Sequence, residues 1–566
     1  MKNKLIGKVL ATEKSPTTMD SFCFWTQSNI KLNAFDVVKA AHLDGSYTYG
    51  VVEQISHITD SSSFLSNFIS NDFGEPTTNA TTLRLGMNYV KVAVTFNDHK
   101  VNGIPHGIYN PLLNDSNVYL ATADEITYAL GLKEDDNSIV CGQIKMYEGS
   151  TEDVVTLPVP LNSKFLIGPE GAHLNISGIS GLAAKTSYAM FLLKAIQDYK
   201  SKRSEDNVAF VIFNVKGKDL MAIDKPNDFD GSQDEKNAVL AEYDALKLSQ
   251  EPFSDVKYYI PFTEKNLKKS TYLSENEVKN GYETGRLNSF AYLFEEDKEN
   301  IELMFSNIDD STQTMDTIID YISTHSEFAG INNWIEFLDK VKGKMEAGQS
   351  GASKEITVQS WRKFYRIINK AIRHDEMFAT ALREEHQCRL EDALKEIKAN
   401  DVYVIDIAKL PEDKQAFVFG SAVEAISNLQ LGEYDDGGKT PEYRPDRIIV
   451  FIDELNKYAS KEVPKGSPIL RRILDVAERG RSLGIVLFAA EQFRSVIHDR
   501  VTGNCSTHAY GRTNSTEVSK GDYRHIPETY KSMMTRLSQG EYIIQNPTFR
   551  SLLKIKFPKP IYKQFK

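Results

Sequence analysis

Cysteine is scarce: the chain has four, Cys23, Cys141, Cys388 and Cys505, in 566 residues. They lie far apart, and no pair has the spacing of a zinc site or a redox dithiol. A disulfide framework is therefore excluded, and reduced, buried thiols are expected. Long apolar runs are missing too. The opening MKNKLIGKVLATEKS has no apolar stretch of signal-peptide length, and no run elsewhere is long enough to span a bilayer. The expectation is a cytoplasmic protein with no membrane contact. A basic excess is also lacking: 67 Lys and Arg against 78 Asp and Glu leave a formal net charge of −11. That excludes a broadly basic exterior and restricts any nucleic-acid contact to a local surface, such as a lined channel. With 26% charged and 41% hydrophobic residues, wholesale disorder is excluded as well.

What is present changes character along the chain. Up to about residue 150, KLIGKVLAT, FCFWTQ, SYTYGVVEQI, YVKVAVTF and VYLATA are rich in Val, Tyr, Phe and Thr. Val90, Val92, Val94 and Phe96 alternate with Lys91, Ala93 and Thr95, as a strand requires. Short strands in such succession predict a small β-barrel over 1–150. From about 160, HLNIS reads as a short strand, SYAMFLLKAIQDYKSK as an apolar helix and NVAFVIFNVKG as a buried strand. That is the βαβ unit of a parallel sheet, and the fold class expected is α/β. Strands of the same kind recur at 401–407, 447–454 and 484–492. The α/β core is thus expected in two parts, 151–264 and 399–566. Between them, 265–398 reads as an inserted helical bundle. Met315, Ile318, Ile319 and Ile322 fall at helical spacing, as do Trp334, Phe337, Leu338 and Val341, then Trp361, Phe364, Tyr365 and Ile368, then Leu390, Ala393, Leu394 and Ile397.

Between the strand HLNIS and its helix lies GISGLAAKTS, Gly178 to Ser187. A phosphate loop has the pattern G-x-x-x-x-G-K-[ST] at this place. Backbone N–H groups wrap the phosphate, the helix N-terminus adds positive potential, the lysine neutralises charge and the hydroxyl ligates magnesium. Lys185 and Thr186 are in position. Ala184 stands where the glycine before the lysine belongs, and Gly178 is one residue too far upstream. A methyl group is tolerable at negative φ, and a bulge near Gly181 absorbs the extra residue. The cradle then comprises Gly178, Ser180, Gly181, Leu182, Ala183, Ala184, Lys185, Thr186 and Ser187. On this segment alone, an apolar strand–turn–helix with an incidental lysine reads as well.

RIIVFIDEL supplies the partner. Asp453, at a strand end, would hold magnesium with Thr186, and Glu454 would polarise the attacking water as general base. Alone, two acids after an apolar strand mark only a solvated turn. Together with Lys185 and Thr186 they point to ATP with Mg2+. Gln492, after the strand GIVLFAAE, is placed to sense the γ-phosphate. Arg479 or Arg481, and as a rival Arg512, are candidates for an arginine that reaches a neighbouring subunit's γ-phosphate.

These stretches, in this order, resemble the HerA branch of the HerA/FtsK superfamily of hexameric ATPases. GKVLATEKSPTTMDSFCFW looks like the opening of that family's HAS barrel, and HLNISGISGLAAKTS takes the Walker A place. FNVKGKD resembles its D-x-K-G-E-type segment, with Asn214 for the usual acid. FIDEL matches Walker B, ERGRSLGIVLFAAEQFRSV and NCSTHAYGR resemble the runs that follow, and IKFPKP resembles the C-terminal finish. The resemblance implies a RecA-like P-loop ATPase core with a HAS-barrel-like N-terminal barrel and an inserted helical bundle. It also implies a homo-hexamer with ATP between subunits. Lys185, Thr186, Asp453, Glu454 and Gln492 carry over by position, with Arg479 or Arg481 as the trans arginine. Family members move or unwind double-stranded DNA, and bacterial relatives pair with a nuclease or a sirtuin-like, NAD-consuming effector in antiphage defence. The expectation is a motor subunit whose separate effector docks on the N-terminal barrel. The alternative is a nucleotide-gated scaffold that switches such an effector without moving along DNA. A metabolic kinase is a third reading, disfavoured by the long insertion. WRKFYRIINKAIRH (361–374) is the densest basic and aromatic stretch. It reads first as a helix with a buried aromatic stripe and a solvated basic face.

Overall fold

The computed structural model describes every residue except 1–3, 28, 71–72, 74, 76–84, 108–109, 151–152, 180, 182–184, 202–206, 311, 346–355, 384, 433–443 and 566. The chain forms two compact units. One comprises Met1–Leu161 and Arg512–Lys556, the other Asn162–Gly511 and Phe557–Lys566.

The first unit contains a closed barrel of six strands: Leu5–Leu10, Ser21–Thr26, Gly86–Asn97, Tyr47–Thr59, Val37–Ala41 and Asn117–Leu120, in that order around the barrel. The pairings are antiparallel throughout. Closure abolishes edges, and inward side chains fill the interior. Val9, Phe22, Phe24, Val51, Val90, Val92 and Val118 are buried. Close strand approach requires glycine at position 7, where a Cβ would lie 1.9 Å from the Trp25 carbonyl oxygen. One barrel strand escapes the sequence pattern. Val37–Ala41 carries Lys39, a buried ammonium paired with Glu125 at 2.5 Å. The same unit holds strands Ser138–Met146, Glu541–Gln545 and Leu553–Lys556, and all but the last residue of Val155–Asn162.

The second unit is built on a parallel sheet. Its strands run in the order Thr507–Tyr510, Leu174–Ser177, Ile485–Glu491, Arg447–Asp453, Val208–Asn214, Val402–Asp406, Val256–Pro261, Leu287–Leu293 and Phe378–Ala379. Every neighbouring pair is parallel. Strands covered on both faces are apolar throughout, which is why VAFVIFN and IVLFAAE are buried at every residue. The α/β class and the parallel strands expected at 401–407, 447–454 and 484–492 are present.

The segment 265–398 carries the expected helices. Thr314–Thr324 buries Met315 and Ile318, and Trp334–Gly343 buries Trp334, Phe337, Leu338 and Val341. Val358–Ile372 buries Trp361, Phe364 and Ile368 while Arg362, Arg366 and Lys370 stay exposed. Leu390–Lys395 buries Leu390 and Leu394. These side chains join those of the sheet in one hydrophobic core. The segment also contributes strand Leu287–Leu293, which pairs in parallel with Val256–Pro261. Its sequence, LNSFAYL, is too short and mixed to betray a buried strand.

No helix among the described residues is long and apolar enough to cross a membrane. All four cysteines are free, with Cys23, Cys141 and Cys505 buried.

Candidate functional site

Strand Leu174–Ser177 lies between Ile485–Glu491 and Thr507–Tyr510, with Ser177 level with Glu491 on one side and Tyr510 on the other. The chain leaves the sheet at Gly178, whose N–H donates to the Glu491 carbonyl at 3.1 Å. Gly181 has φ +82°, a left-handed conformation that favours glycine. Ser180, Leu182, Ala183 and Ala184 lie outside the described residues. Helix Lys185–Ser201 then begins at the lysine itself, so its first free N–H groups belong to the loop end.

Lys185 is 5% exposed, and its Nζ has no hydrogen-bond partner among the described residues. Burial drives its ammonium below the ordinary value, while Asp453 and Glu491 pull it back. A buried, unpaired ammonium is costly in a folded protein unless a ligand completes it. Next to it, the Thr186 hydroxyl donates to Asp453 Oδ2 at 2.8 Å. The other carboxylate oxygen of Asp453 accepts the Glu454 N–H at 2.8 Å. Asp453 ends strand Arg447–Asp453, and Ile485–Glu491 separates it from the loop strand. Thus two sheet ends bring Lys185, Thr186 and Asp453 together, as their order in the sequence suggests.

Glu454 follows at φ +58°, a left-handed conformation unusual for a residue with a side chain. Its carboxylate is held by Lys216 at 2.5 Å and Lys457 at 2.8 Å. Burial would raise its pKa, but the hydrogen bonds from Lys216 and Lys457 outweigh burial and keep it below the ordinary value.

A cleft of about 280 Å³ opens over Lys185, Thr186 and Asp453, with Glu454 behind its lining, next to Asp453 and Lys216. Gly181, Lys185, Thr186, Ser187, Lys216, Asp219 and Asp453 line it, joined by Tyr562, Gln564 and Phe565 from the chain's last residues. That tail returns to the unit through Asn227 N–H to the Ile561 carbonyl and Lys563 N–H to the Lys225 carbonyl.

The remaining candidates are placed differently. Gln492 lies one residue beyond its strand, half-buried, and does not line the cleft. Its neighbour Glu491 is fully buried at the strand end. Burial pushes that carboxyl up to about 8, against the pull of Asn175, Arg494 and Lys185. Arg479 and Arg481 are exposed near the end of helix Pro468–Leu483. Arg479 pairs with Asp475 at 3.2 Å, and Arg481 donates to the Glu170 carbonyl at 3.2 Å. Arg512 belongs to the first unit. Asn214 is buried, and its Nδ2 donates to Asp406 Oδ1 at 2.8 Å and to the Gly217 carbonyl at 3.0 Å. The carboxylate missing from position 214 is therefore present on the paired strand, level with it.

Motif reading missed Lys216, Glu491 and the C-terminal aromatics. An acid closing the buried run IVLFAAE was a signal for Glu491, and the lysine of FNVKGKD one for Lys216. Nothing in IYKQF announces a return to the cleft.

No protein-family model matches the sequence, and no curated protein matches it. Among solved structures, the bacterial conjugative coupling protein TrwBdeltaN70, in its unbound monoclinic form, aligns at 12% identity over 77% of this chain and 92% of that one, with a TM-score of 0.36. The genome packaging NTPase B204 from Sulfolobus turreted icosahedral virus 2, in complex with sulfate, aligns at 14% identity over 30% of this chain and 70% of that one, TM-score 0.21. EssC (ATPases 2 and 3) from Geobacillus thermodenitrificans aligns at 13% identity over 75% and 45%, TM-score 0.26. Likenesses this weak say nothing about activity.

Proposed function

We propose that the protein is a P-loop ATP hydrolase of HerA type, a motor subunit that works with a separate effector. The observation that carries this is the buried Lys185 Nζ, which has no hydrogen-bond partner among the described residues, beside the Thr186–Asp453 hydrogen bond at the foot of an open cleft. A triphosphate satisfies that ammonium, and the loop N–H groups at a helix N-terminus receive its oxygens. In this reading the loop from Gly178 to Ser187 would be the cradle, with Gly178, Gly181 and Lys185–Ser187 among the described residues. Thr186 and Asp453 fit Mg2+, since both offer hard oxygen and the ion takes few protein ligands besides nucleotide phosphates. Among the described residues, no group of three or more His, Cys, Asp or Glu is arranged to hold a metal alone, so the ion would come with the nucleotide. Magnesium, when bound, neutralises charge on the phosphates. Glu454 accepts the proton of the attacking water, Gln492 aligns water with phosphate, and Arg479 or Arg481 acts from a neighbouring subunit.

Further out, the reading is a cytoplasmic homo-hexamer that moves on double-stranded DNA, with a nuclease or sirtuin-like effector on the barrel, in antiphage defence. The HerA-like order of motifs supports this. A second reading has support of its own. Both carboxylate oxygens of Glu454 are paired with lysines, as suits a nucleotide-gated scaffold whose hydrolysis waits on its effector. Steady-state ATP hydrolysis with and without double-stranded DNA at low salt, beside Glu454→Gln, separates the two. DNA-stimulated turnover lost in the variant supports the motor. Nucleotide binding without turnover, DNA present or not, rejects it in favour of the scaffold.

A further inference from the structure

Glu454 Oε1 lies 2.5 Å from Lys216 Nζ and Oε2 lies 2.8 Å from Lys457 Nζ. With both oxygens so engaged, the lone pairs needed to take a proton from water face ammonium hydrogens instead. The two lysines are not equivalent. Lys216 lines the cleft with Lys185, Thr186 and Asp453, and Lys457 does not. The Lys216 side chain is 46% exposed against 27% for Lys457, so it has the freer path to a ligand in the cleft. Its placement is built into the sheet. Strands Val208–Asn214 and Arg447–Asp453 are paired with Phe213 level with Ile452, and the two chains leave the sheet side by side, one toward Lys216 and the other into Glu454.

We infer that Lys216 registers the terminal phosphate of a bound nucleoside triphosphate, and that it does so by leaving Glu454. This rests on the reading of the cleft as a nucleotide site. A terminal phosphate carries nearly two negative charges, a carboxylate one. The mobile ammonium therefore transfers to the phosphate, and Glu454 keeps only Lys457. The freed Oε1 takes a proton from water as the water oxygen bonds to the γ-phosphorus and the bridging P–O bond breaks, leaving diphosphate and phosphate. A diphosphate carries that charge one phosphate short of the γ position, so nothing there draws Lys216 away, the ion pair closes again and the base is silenced. Lys216 thus couples the base to the presence of substrate.

The test is equilibrium binding of ADP and of the non-hydrolysable analogue AMPPNP, each with magnesium, to the full chain and to Lys216→Met, Lys216→Arg and Lys457→Met. The wild type is expected to prefer AMPPNP. Lys216→Met should lose AMPPNP affinity about tenfold, the worth of one charge-assisted hydrogen bond, while ADP affinity holds within about twofold. Lys216→Arg and Lys457→Met should keep the preference. Equal losses for both nucleotides in Lys216→Met would mean a merely structural lysine and overturn the inference. So would an unchanged preference, or its loss in Lys457→Met instead. A wild type that binds neither nucleotide would overturn the nucleotide-site reading itself, and this inference with it.

Discussion

Lys185 and Glu491 are both buried and ionisable, and each bears on stability. Lys185 Nζ has no protein partner among the described residues, so removing its charge relieves a burial cost while destroying the contact proposed with phosphate. Lys185→Met is expected to abolish hydrolysis and to raise the unfolding free energy of the nucleotide-free protein by about 1 kcal/mol. Denaturation midpoints and turnover measured side by side check this. Glu491 gives a pH dependence with a definite sign. Burial raises its carboxyl from an ordinary 4.5 to about 8, so the unfolded chain loses this proton first. The contribution to stability is complete below the unfolded pKa and is lost as pH rises through the folded one. The slope between them is on the order of 1.4 kcal/mol per pH unit. Glu491→Gln should flatten the dependence in that window. Thermal midpoints of the two proteins that fall in parallel across it would refute the assignment.

At the scale of elements, position 214 shows why a second buried acid would not fit. Asn214 and Asp406 lie level on paired strands, both buried, joined by a 2.8 Å hydrogen bond. Burial holds the Asp406 carboxyl up at about 6, against hydrogen bonds from Thr271 and Asn214. Asn214→Asp would replace the donor with a second carboxylate. The expected cost is about 3–5 kcal/mol at neutral pH, smaller in acid where one carboxyl is protonated, and urea midpoints at the two conditions measure it. Helix Val358–Ile372 gives the complementary case. Trp361 lies in the core and Arg362 and Arg366 face solvent. Trp361→Ala should cost about 3–5 kcal/mol, and Arg362→Ala less than about 0.5 kcal/mol. The contrast, read by chemical denaturation, tests whether the basic face is only a solvated surface. A drop in DNA affinity on Arg362→Ala, with stability unchanged, would give that face a role.

At the scale of the whole molecule, the proposed hydrolysis would be completed either by one chain or by two. Among the described residues, exposed Arg479 pairs with Asp475 and exposed Arg481 donates to the Glu170 carbonyl, and in the proposed mechanism one of them acts on a neighbouring subunit. Mixing inactive Glu454→Gln subunits with inactive Arg481→Ala subunits should restore part of the hydrolysis, because mixed assemblies contain junctions with an intact base and an intact arginine. No recovery at any mixing ratio, for Arg481→Ala or Arg479→Ala, would count against a trans arginine at either position.

The sequence by itself determined the α/β rhythm, the helical stripes of 314–395, and the Lys185–Thr186 and Asp453–Glu454 pairs. These are local properties: strand alternation, helical period and motif spacing are written in consecutive residues. Strand Val37–Ala41 was hidden because its lysine breaks the apolar pattern, although Glu125 offsets the buried charge. Only the tertiary structure decided that Lys216 meets Glu454 and that Glu491 lies buried at the strand end between the loop and acid strands. The same holds for the return of Tyr562 and Phe565 to the cleft and for the place of Leu287–Leu293 in the sheet. Each depends on the register between strands far apart in the chain. Register is set by packing of the whole core, and no stretch of sequence carries it alone.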